Sequence, residues 1–179
     1  MTIIGIDLSI NSTGICVNRD GKYNYFIVTP EQGMTKKMRE FSSSKIKILP
    51  YTKLSGSKEY AQKEIEKSHN IYYIVQTIVG VVKKYKPDRC VMEGVSYGSS
   101  GAVADLAGLQ YTLRCELIKA GINFSVVTPM SLKKTATGNG NADKNEMVFA
   151  WKKCDPSIKD IDLKKVDDIA DAFFLSLMG

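Results

Sequence analysis

The first thirty residues alternate between apolar and polar positions, which is the period of a β-strand. Ile4, Ile6 and Leu8 fall on one face of the first segment. The dipeptide Asp20-Gly21, between two later segments, is a strong hairpin signal. The alternation therefore predicts an antiparallel meander of three strands, over residues 2–9, 15–19 and 23–29.

Beyond residue 57 the apolar spacing changes to three and four residues, which predicts amphipathic helices. They are expected over residues 57–86, 102–120, 130–134, 143–153 and 166–178. Short apolar segments between them predict strands at 90–93 and 124–127. Residues 30–57 have no clear period, so we expect an insertion or mobile excursion with one possible strand at 45–49. The order of elements predicts an α/β fold, a five-stranded mixed sheet flanked by helices.

The composition is that of a folded globular protein. With 44% hydrophobic residues among 179, the chain is long enough for one domain, residues 1–179, with its own core. No apolar run approaches the ~18 residues that a membrane helix needs. The N-terminus lacks the basic segment of a signal peptide, so we expect a cytoplasmic protein with no membrane partner. Four cysteines without metal-type spacing predict buried free thiols, at Cys16, Cys90, Cys115 and Cys154.

Acidic residues stand at unusual places in the predicted elements. Asp7 lies within the first strand, where aspartate is disfavoured, and Glu93 ends another strand just before a Gly-rich loop. Asp168 and Asp171 share a face of the last helix, and Asp167 also stands one turn before Asp171. A cluster of hard oxygen ligands would suit Mg²⁺ or Mn²⁺. The alternatives are a hydrogen-bonding Asp7, a surface Glu93, and aspartates that only charge the first helical turn.

Four segments together resemble the RuvC family of the RNase H-like superfamily. The motifs are Ile-Gly-Ile-Asp-Leu-Ser at 4–9 with Thr13-Gly14, Val-Met-Glu-Gly-Val at 91–95, Leu-Lys-Lys-Thr at 132–135 followed by Gly138, Gly140, Ala142, Asp143 and Lys144, and Asp-Ile-Ala-Asp-Ala at 168–172. Each motif is weak alone, but four in the family's order are specific. The resemblance covers roughly residues 2–20 and 70–178.

The resemblance implies an RNase H-like fold and a metal-dependent endonuclease that resolves four-way DNA junctions. Its catalytic and metal-binding carboxylates would be Asp7, Glu93, Asp168 and Asp171, which selects Asp168 over Asp167. Two Mg²⁺ ions would bind per site, with Mn²⁺ as a substitute and no nucleotide cofactor. The expected DNA partner is a four-way junction, and the net charge of +6 permits attraction to its phosphates.

The resemblance also implies basic residues beside the site. These are Lys133 and Lys144, with Lys134 adjacent, and Lys144 would act in catalysis by neutralising the scissile phosphate or positioning water. The alternative for each is a solvated surface lysine. The family's aromatic wedge falls at Ser96 here, with Tyr97 next as a possible substitute in DNA binding. The interval between Asp7 and Glu93 is wider than usual for the family, which agrees with extra structure at residues 30–57, and the acidic-poor, Lys-rich and divergent character of the chain resembles phage-encoded members.

Competing functions and the assembly follow from the same residues. A flap or branched-DNA nuclease and a non-catalytic DNA-binding module are the alternatives; an actin-like ATPase would need a second domain. Two opposed cuts in one junction are best made by a homodimer with two-fold symmetry. Its candidate patch is the small-residue face of the helix over 102–120, with Ala104, Ala107, Gly108 and Tyr111.

Overall fold

The computed structural model describes residues 1–41, 43–95, 103–161 and 166–179, which form one mixed sheet with helices on both faces. The strands are β1 (Thr2–Asp7), β2 (Thr13–Arg19), β3 (Lys22–Pro30), β4 (Ile46–Tyr51), β5 (Arg89–Glu93) and β6 (Phe124–Val127). The helices are α1 (Lys36–Arg39), α2 (Tyr60–Tyr85), α3 (Val103–Lys119), α4 (Pro129–Thr137), α5 (Lys144–Cys154) and α6 (Val166–Leu175). The predicted α/β class with a mixed sheet is confirmed.

The strand order is β4-β3-β2-β1-β5-β6. The first three strands form the predicted antiparallel meander, while β4, β5 and β6 each pair in parallel with a neighbour. Five strands therefore end at one end of the sheet, which we call the carboxyl end: β1, β3, β4, β5 and β6. The loop from β1 to β2 lies at this same end, because β2 runs in the opposite direction.

The sheet has a sixth strand where five were predicted. β4 lies within the residues expected to form an excursion, and it pairs with β3 through Ile46 opposite Tyr25 and Tyr51 opposite Pro30. Its apolar signal is weak because only its first and last residues are buried. Pro50 cannot donate to a ladder, but β4 is an edge strand, where proline is tolerated.

One helical layer, α2 and α3, covers one face of the sheet. Its core includes Ile4 and Ile6 of β1 with Ile74 and Ile78 of α2. A Cβ on Gly108 would lie 3.4 Å from Ile71 Cδ1, so this part of the expected dimer patch faces α2 of the same chain. Gly108 therefore packs against α2 within the subunit, and the dimer itself stays a prediction.

The second layer, α4 to α6, covers the opposite face. Its core is centred on Phe173 and Phe174 of α6 with Trp151 of α5. The helix α6 is apolar on nearly every side after its first turn, because it lies between the sheet and α5. The buried side of α6 therefore starts directly after its acidic first turn.

Several boundaries differ from the prediction. α2 begins at Tyr60 rather than at Ser57, because the residues before it run extended, and the Ser57 N–H bonds instead to Glu66 Oε1 at 3.3 Å. It ends as predicted, before Pro87, at Lys86 in the left-handed conformation. The cysteines are free, but Cys115 and Cys154 are exposed rather than buried.

No helix among the described residues combines the length and the apolar character needed to cross a membrane. The longest, α2, has 26 residues but carries charged side chains along its exposed side.

Candidate active site

The carboxyl end of the sheet brings Asp7 and Glu93 side by side. They are the last residues of β1 and β5, and the parallel pairing of these strands runs up to Ile6 opposite Met92. The two acidic residues therefore follow at the same level on neighbouring strands. Both side chains are partly buried at the rim of the sheet.

The helix α6 adds Asp168 and Asp171 to this pair because its backbone rests directly on β1 and β2. A Cβ on Gly14 would lie 2.0 Å from the Asp168 carbonyl oxygen, and one on Gly5 would lie 1.9 Å from the Ala172 carbonyl oxygen. No side chain fits at either position. These two glycines let the acidic turn of α6 approach Asp7, which is opposite Gly14 in the β1–β2 ladder.

The pKa values of the acidic residues reflect their burial and their closeness to one another. Burial raises the pKa of Asp7 well above its usual range, and the charges of Asp171, Asp168 and Glu93 raise it further. Burial also raises the pKa of Asp168 to about 7 and that of Asp171 to about 7. Such values follow from burial, which disfavours the charged form of each carboxyl group, together with repulsion between neighbouring carboxylates.

The hydroxyl group of Ser12 also belongs to this site. Ser12, in the loop between β1 and β2, is buried beside Asp168 and lowers the pKa of that carboxyl. Its Oγ nevertheless has no hydrogen-bond partner of normal geometry. An orphaned buried oxygen and a set of hard carboxylate donors fit a divalent cation such as Mg²⁺.

The side chains at the site offer suitable oxygen ligands for a divalent cation, but they are not arranged in a coordination geometry. Within the described residues, no three acidic, histidine or cysteine side chains form a ready-made metal site. Repulsion between uncompensated carboxylates opposes their close approach, and a divalent cation would remove that repulsion.

Lys144 is held at the site by Asp167, the aspartate that the family motif does not select. It is the first residue of α5, and its Nζ lies 2.5 Å from Asp167 Oδ2. This hydrogen bond raises the pKa of Lys144, and the charges of Asp168 and Asp171 raise it further. Only the packing of α5 against α6 reveals this partnership, since 23 residues separate the pair in sequence.

The two predicted lysines of α4 differ in their surroundings. Lys133 is half-buried, and its charge lowers the pKa of both Glu93 and Asp171. Lys134 is exposed, and its ammonium group makes no hydrogen bond or ion pair with any residue in the described ranges. The structure therefore brings Lys133 to the carboxylates and leaves Lys134 outside them. Ser96 and Tyr97 lie outside the described residues.

Comparison with known proteins finds relatives of one family. A protein-family model described as crossover junction endodeoxyribonuclease RuvC matches residues 42–178. A protein of that name from Wolinella succinogenes is 32% identical over 92 residues, which cover 51% of this chain and 57% of the relative. Another from Caldicellulosiruptor saccharolyticus is 22% identical over 179 residues, covering 99% of this chain and 90% of the relative.

Solved structures give the same fold. Thermus thermophilus RuvC superposes with a TM-score of 0.62 at 17% identity, covering 99% of this chain and 92% of that one. The same protein in complex with Holliday junction substrate also matches with a TM-score of 0.62 and 17% identity, over 99% of this chain and 91% of that one. The family model matches well over half of the residues of this chain, and the chain therefore belongs to the RuvC family.

Proposed function

We propose that this protein is a metal-dependent endodeoxyribonuclease that resolves four-way (Holliday) DNA junctions by paired cuts in opposed strands. The observation that carries the proposal is the convergence of four carboxylates from β1, β5 and α6 on one end of the sheet, with Lys133 and Lys144 beside them. Family membership and the likeness to a resolvase solved with its junction support the substrate class.

The metal-binding residues in this proposal are Asp7, Glu93, Asp168 and Asp171, which would hold two Mg²⁺ ions or Mn²⁺ in their place. Such ions supply an activated water for attack on a phosphodiester and neutralise the charge that develops on it. The charges of the other three carboxylates all raise the pKa of Asp7, so Asp7 would hold the ions together with each of them. Ser12 would complete its hydrogen bonding at the same centre.

The lysines would act on the DNA phosphate. Lys144 is 79% exposed at its side chain, so DNA can reach it, while Asp167 keeps its ammonium group beside the carboxylates. Lys133, on α4, lies close enough to Glu93 and Asp171 for its charge to lower the pKa of both. Both would lower the repulsion between a phosphate and the acidic centre. Ser96, Tyr97 and Lys134 remain predicted DNA contacts further out.

A homodimer is part of the proposal because two opposed cuts need two centres. With Gly108 turned toward α2, the exposed side of α3 includes an apolar stripe of Tyr111, Cys115 and Ile118, of which Ile118 is 66% exposed. These residues recur every three or four positions, so they share one face of the helix. In this proposal the dimer patch is this stripe, which keeps Tyr111 of the expected patch and leaves Gly108 out of it.

The test is cleavage of a substrate panel by the purified protein. A synthetic four-way junction, a flapped duplex and a linear duplex of matched sequence are incubated with Mg²⁺, Mn²⁺ or a chelator. We expect paired, symmetric cuts in the junction that require the metal, and no cutting of the linear duplex. Equal rates on flap and junction would favour the broader branched-DNA nuclease. Metal-dependent binding without any cutting would contradict the enzymatic proposal.

A further inference from the structure

The segment between β4 and α2 crosses the carboxyl end of the sheet, and we call residues 52–57 the strap. Its backbone is fixed by side-chain amides from two directions. Gln32 donates to the Lys53 carbonyl at 3.2 Å and accepts from the Lys53 N–H at 3.4 Å. Asn70 of α2 donates to the Leu54 carbonyl and accepts from the Leu54 N–H, both at 2.8 Å. These four hydrogen bonds therefore fix the backbone of the strap in one position.

The buried amide of Asn70 shows that this arrangement is specific. Asn70 is only 5% exposed, and its side chain satisfies both the backbone N–H and the backbone carbonyl of Leu54. A buried amide costs free energy unless it is fully hydrogen-bonded, so it disfavours any other position of the strap. The position of Lys53, which precedes Leu54, is set by the same contacts.

The strap brings Lys53 to the loop that follows Asp7. Lys53 Nζ donates to Asn11 Oδ1 at 3.2 Å, and Asn11 stands beside Ser12 of the candidate active site. Tyr51 fixes the same loop, because its hydroxyl donates to the Ile10 carbonyl at 2.8 Å. The partner of Lys53 is a neutral amide, so its positive charge is not cancelled. Within the described residues no carboxylate lies within ion-pair distance of Lys53.

A cleft of about 310 Å³ opens between the strap, the start of α2 and the start of α3. Its apolar lining includes Ile10, Leu54 and Ile71, and Lys53 and Lys63 stand at its rim. Lys63 is exposed and has no ion-pair partner in the described part of the chain.

The other charged residues of the cleft have hydrogen-bond or ion-pair partners of their own. Lys67 contacts Glu64 at 3.0 Å and Asp105 at 3.4 Å, and Glu66 accepts from the Ser57 N–H. The lining holds the three lysines Lys53, Lys63 and Lys67 and the two carboxylates Glu66 and Asp105, so its net charge is positive by one, and the two lysines without an ion-pair partner among the described residues are Lys53 and Lys63. An apolar floor with cations at its rim matches the chemistry of a nucleotide, whose base is flat and poorly hydrated and whose phosphates are anionic.

We propose that the strap and α2 form a second DNA-binding surface, on the side of the carboxylates away from α4 and α5. Lys53 and Lys63 contact backbone phosphates there, and the cleft over Ile10 and Leu54 receives an unpaired nucleotide next to the branch point. This inference rests on the proposed function, because it takes branched DNA as the substrate. It gives residues 30–57 a role: they carry the strap to the active end of the sheet.

The test measures DNA binding by the full-length protein in Ca²⁺, with fluorescence anisotropy at several salt concentrations. The probes are a fully paired four-way junction and the same junction with two unpaired nucleotides at its centre. Lys53→Ala and Lys63→Ala should each weaken binding of both probes and reduce the salt slope by about one unit, as for a lost phosphate contact. Lys83→Ala is the matched control, since Lys83 is an exposed lysine near the far end of the same helix.

Leu54→Ala tests the cleft. It should remove the preference of the wild type for the junction with unpaired nucleotides, and thermal unfolding shows that the variant is folded. An unchanged salt slope in both lysine variants, or a wild type with no preference between the probes, would overturn the inference. Failure of the proposed function looks different, because the wild type would then cut no junction in Mg²⁺ whatever the lysine variants do.

Discussion

Lys144 and Asp167 form an ion pair across two helices, with Nζ 2.5 Å from Oδ2, at the edge of the four-carboxylate cluster. The lysine begins α5 and the aspartate stands in the first turn of α6. The ion pair therefore holds the flexible side chain of Lys144 next to Asp168. We therefore expect Asp167 to position Lys144 rather than to bind a metal ion.

Asp167→Asn should lower junction cleavage by about tenfold, because it releases Lys144 to solvent. The loss should be smaller than that of Asp168→Asn. In the double variant with Lys144→Ala, the two losses should not add, since both act through one interaction. Single-turnover cleavage measures this, with the surface change Asp160→Asn as control. Additive losses would show that Asp167 acts independently of Lys144.

Removing any one carboxylate should lower cleavage by orders of magnitude. The changes are Asp7→Asn, Glu93→Gln, Asp168→Asn and Asp171→Asn, and each takes a negative charge from the centre that would hold the cations. Junction binding in Ca²⁺ should persist or tighten, because carboxylates repel phosphates. Parallel cleavage and binding assays check both parts. A variant that keeps wild-type cleavage would remove its residue from the proposed metal site.

The metal-free protein should lose stability as the pH rises from about 4 to about 7. Burial raises the pKa of Asp168 and of Asp171 to about 7, so the folded state binds more protons than the unfolded state between the ordinary aspartate pKa and that value. The free energy of unfolding therefore falls with increasing pH over this range.

Thermal unfolding in chelator should show this fall, and Mg²⁺ should raise the melting temperature more at pH 8 than at pH 5.5. Asp171→Asn should flatten the pH profile, because one of the titrating groups is gone. A melting temperature that rises with pH in the wild type would contradict the raised pKa values.

Gly14→Ala should inactivate the protein without changing any acidic residue. The new Cβ would lie 2.0 Å from the Asp168 carbonyl oxygen, so the start of α6 has to move away from β2. Overpacking of this kind costs about 1–3 kcal/mol of stability. Gly80→Ala is the control, because nothing lies within 4 Å of a Cβ there and a helical position favours alanine. Equal activity in the two variants would show that α6 tolerates displacement.

Ile118→Asp should yield a folded monomer that nicks junctions without cutting both strands. Ile118 is exposed on α3, and an aspartate within a dimer interface would be buried without a partner. Sedimentation velocity at micromolar concentration measures the assembly, and a supercoiled cruciform plasmid distinguishes nicking from paired cutting. A wild type that is monomeric yet makes paired cuts would exclude the dimer.

The sequence by itself determined the features that depend on local period and local chemistry. Alternation predicted the meander of β1, β2 and β3, and the three- and four-residue spacing predicted the helices. Asp7 and Glu93 were identified because each carboxylate interrupts or ends an apolar strand. Their meeting at one end of the sheet could be expected from parallel strands, although no local pattern fixes the distance between them.

Tertiary structure alone decided the contacts between segments far apart in the chain. Pairing with β3 makes a strand of β4, whose own pattern is weak because it stands at the sheet edge. The close packing of α6 on Gly14 brings Asp168 to Asp7, and the meeting of α5 with α6 gives Asp167 its partner. Such relationships depend on shape and charge across the fold, which residue spacing along one segment does not encode.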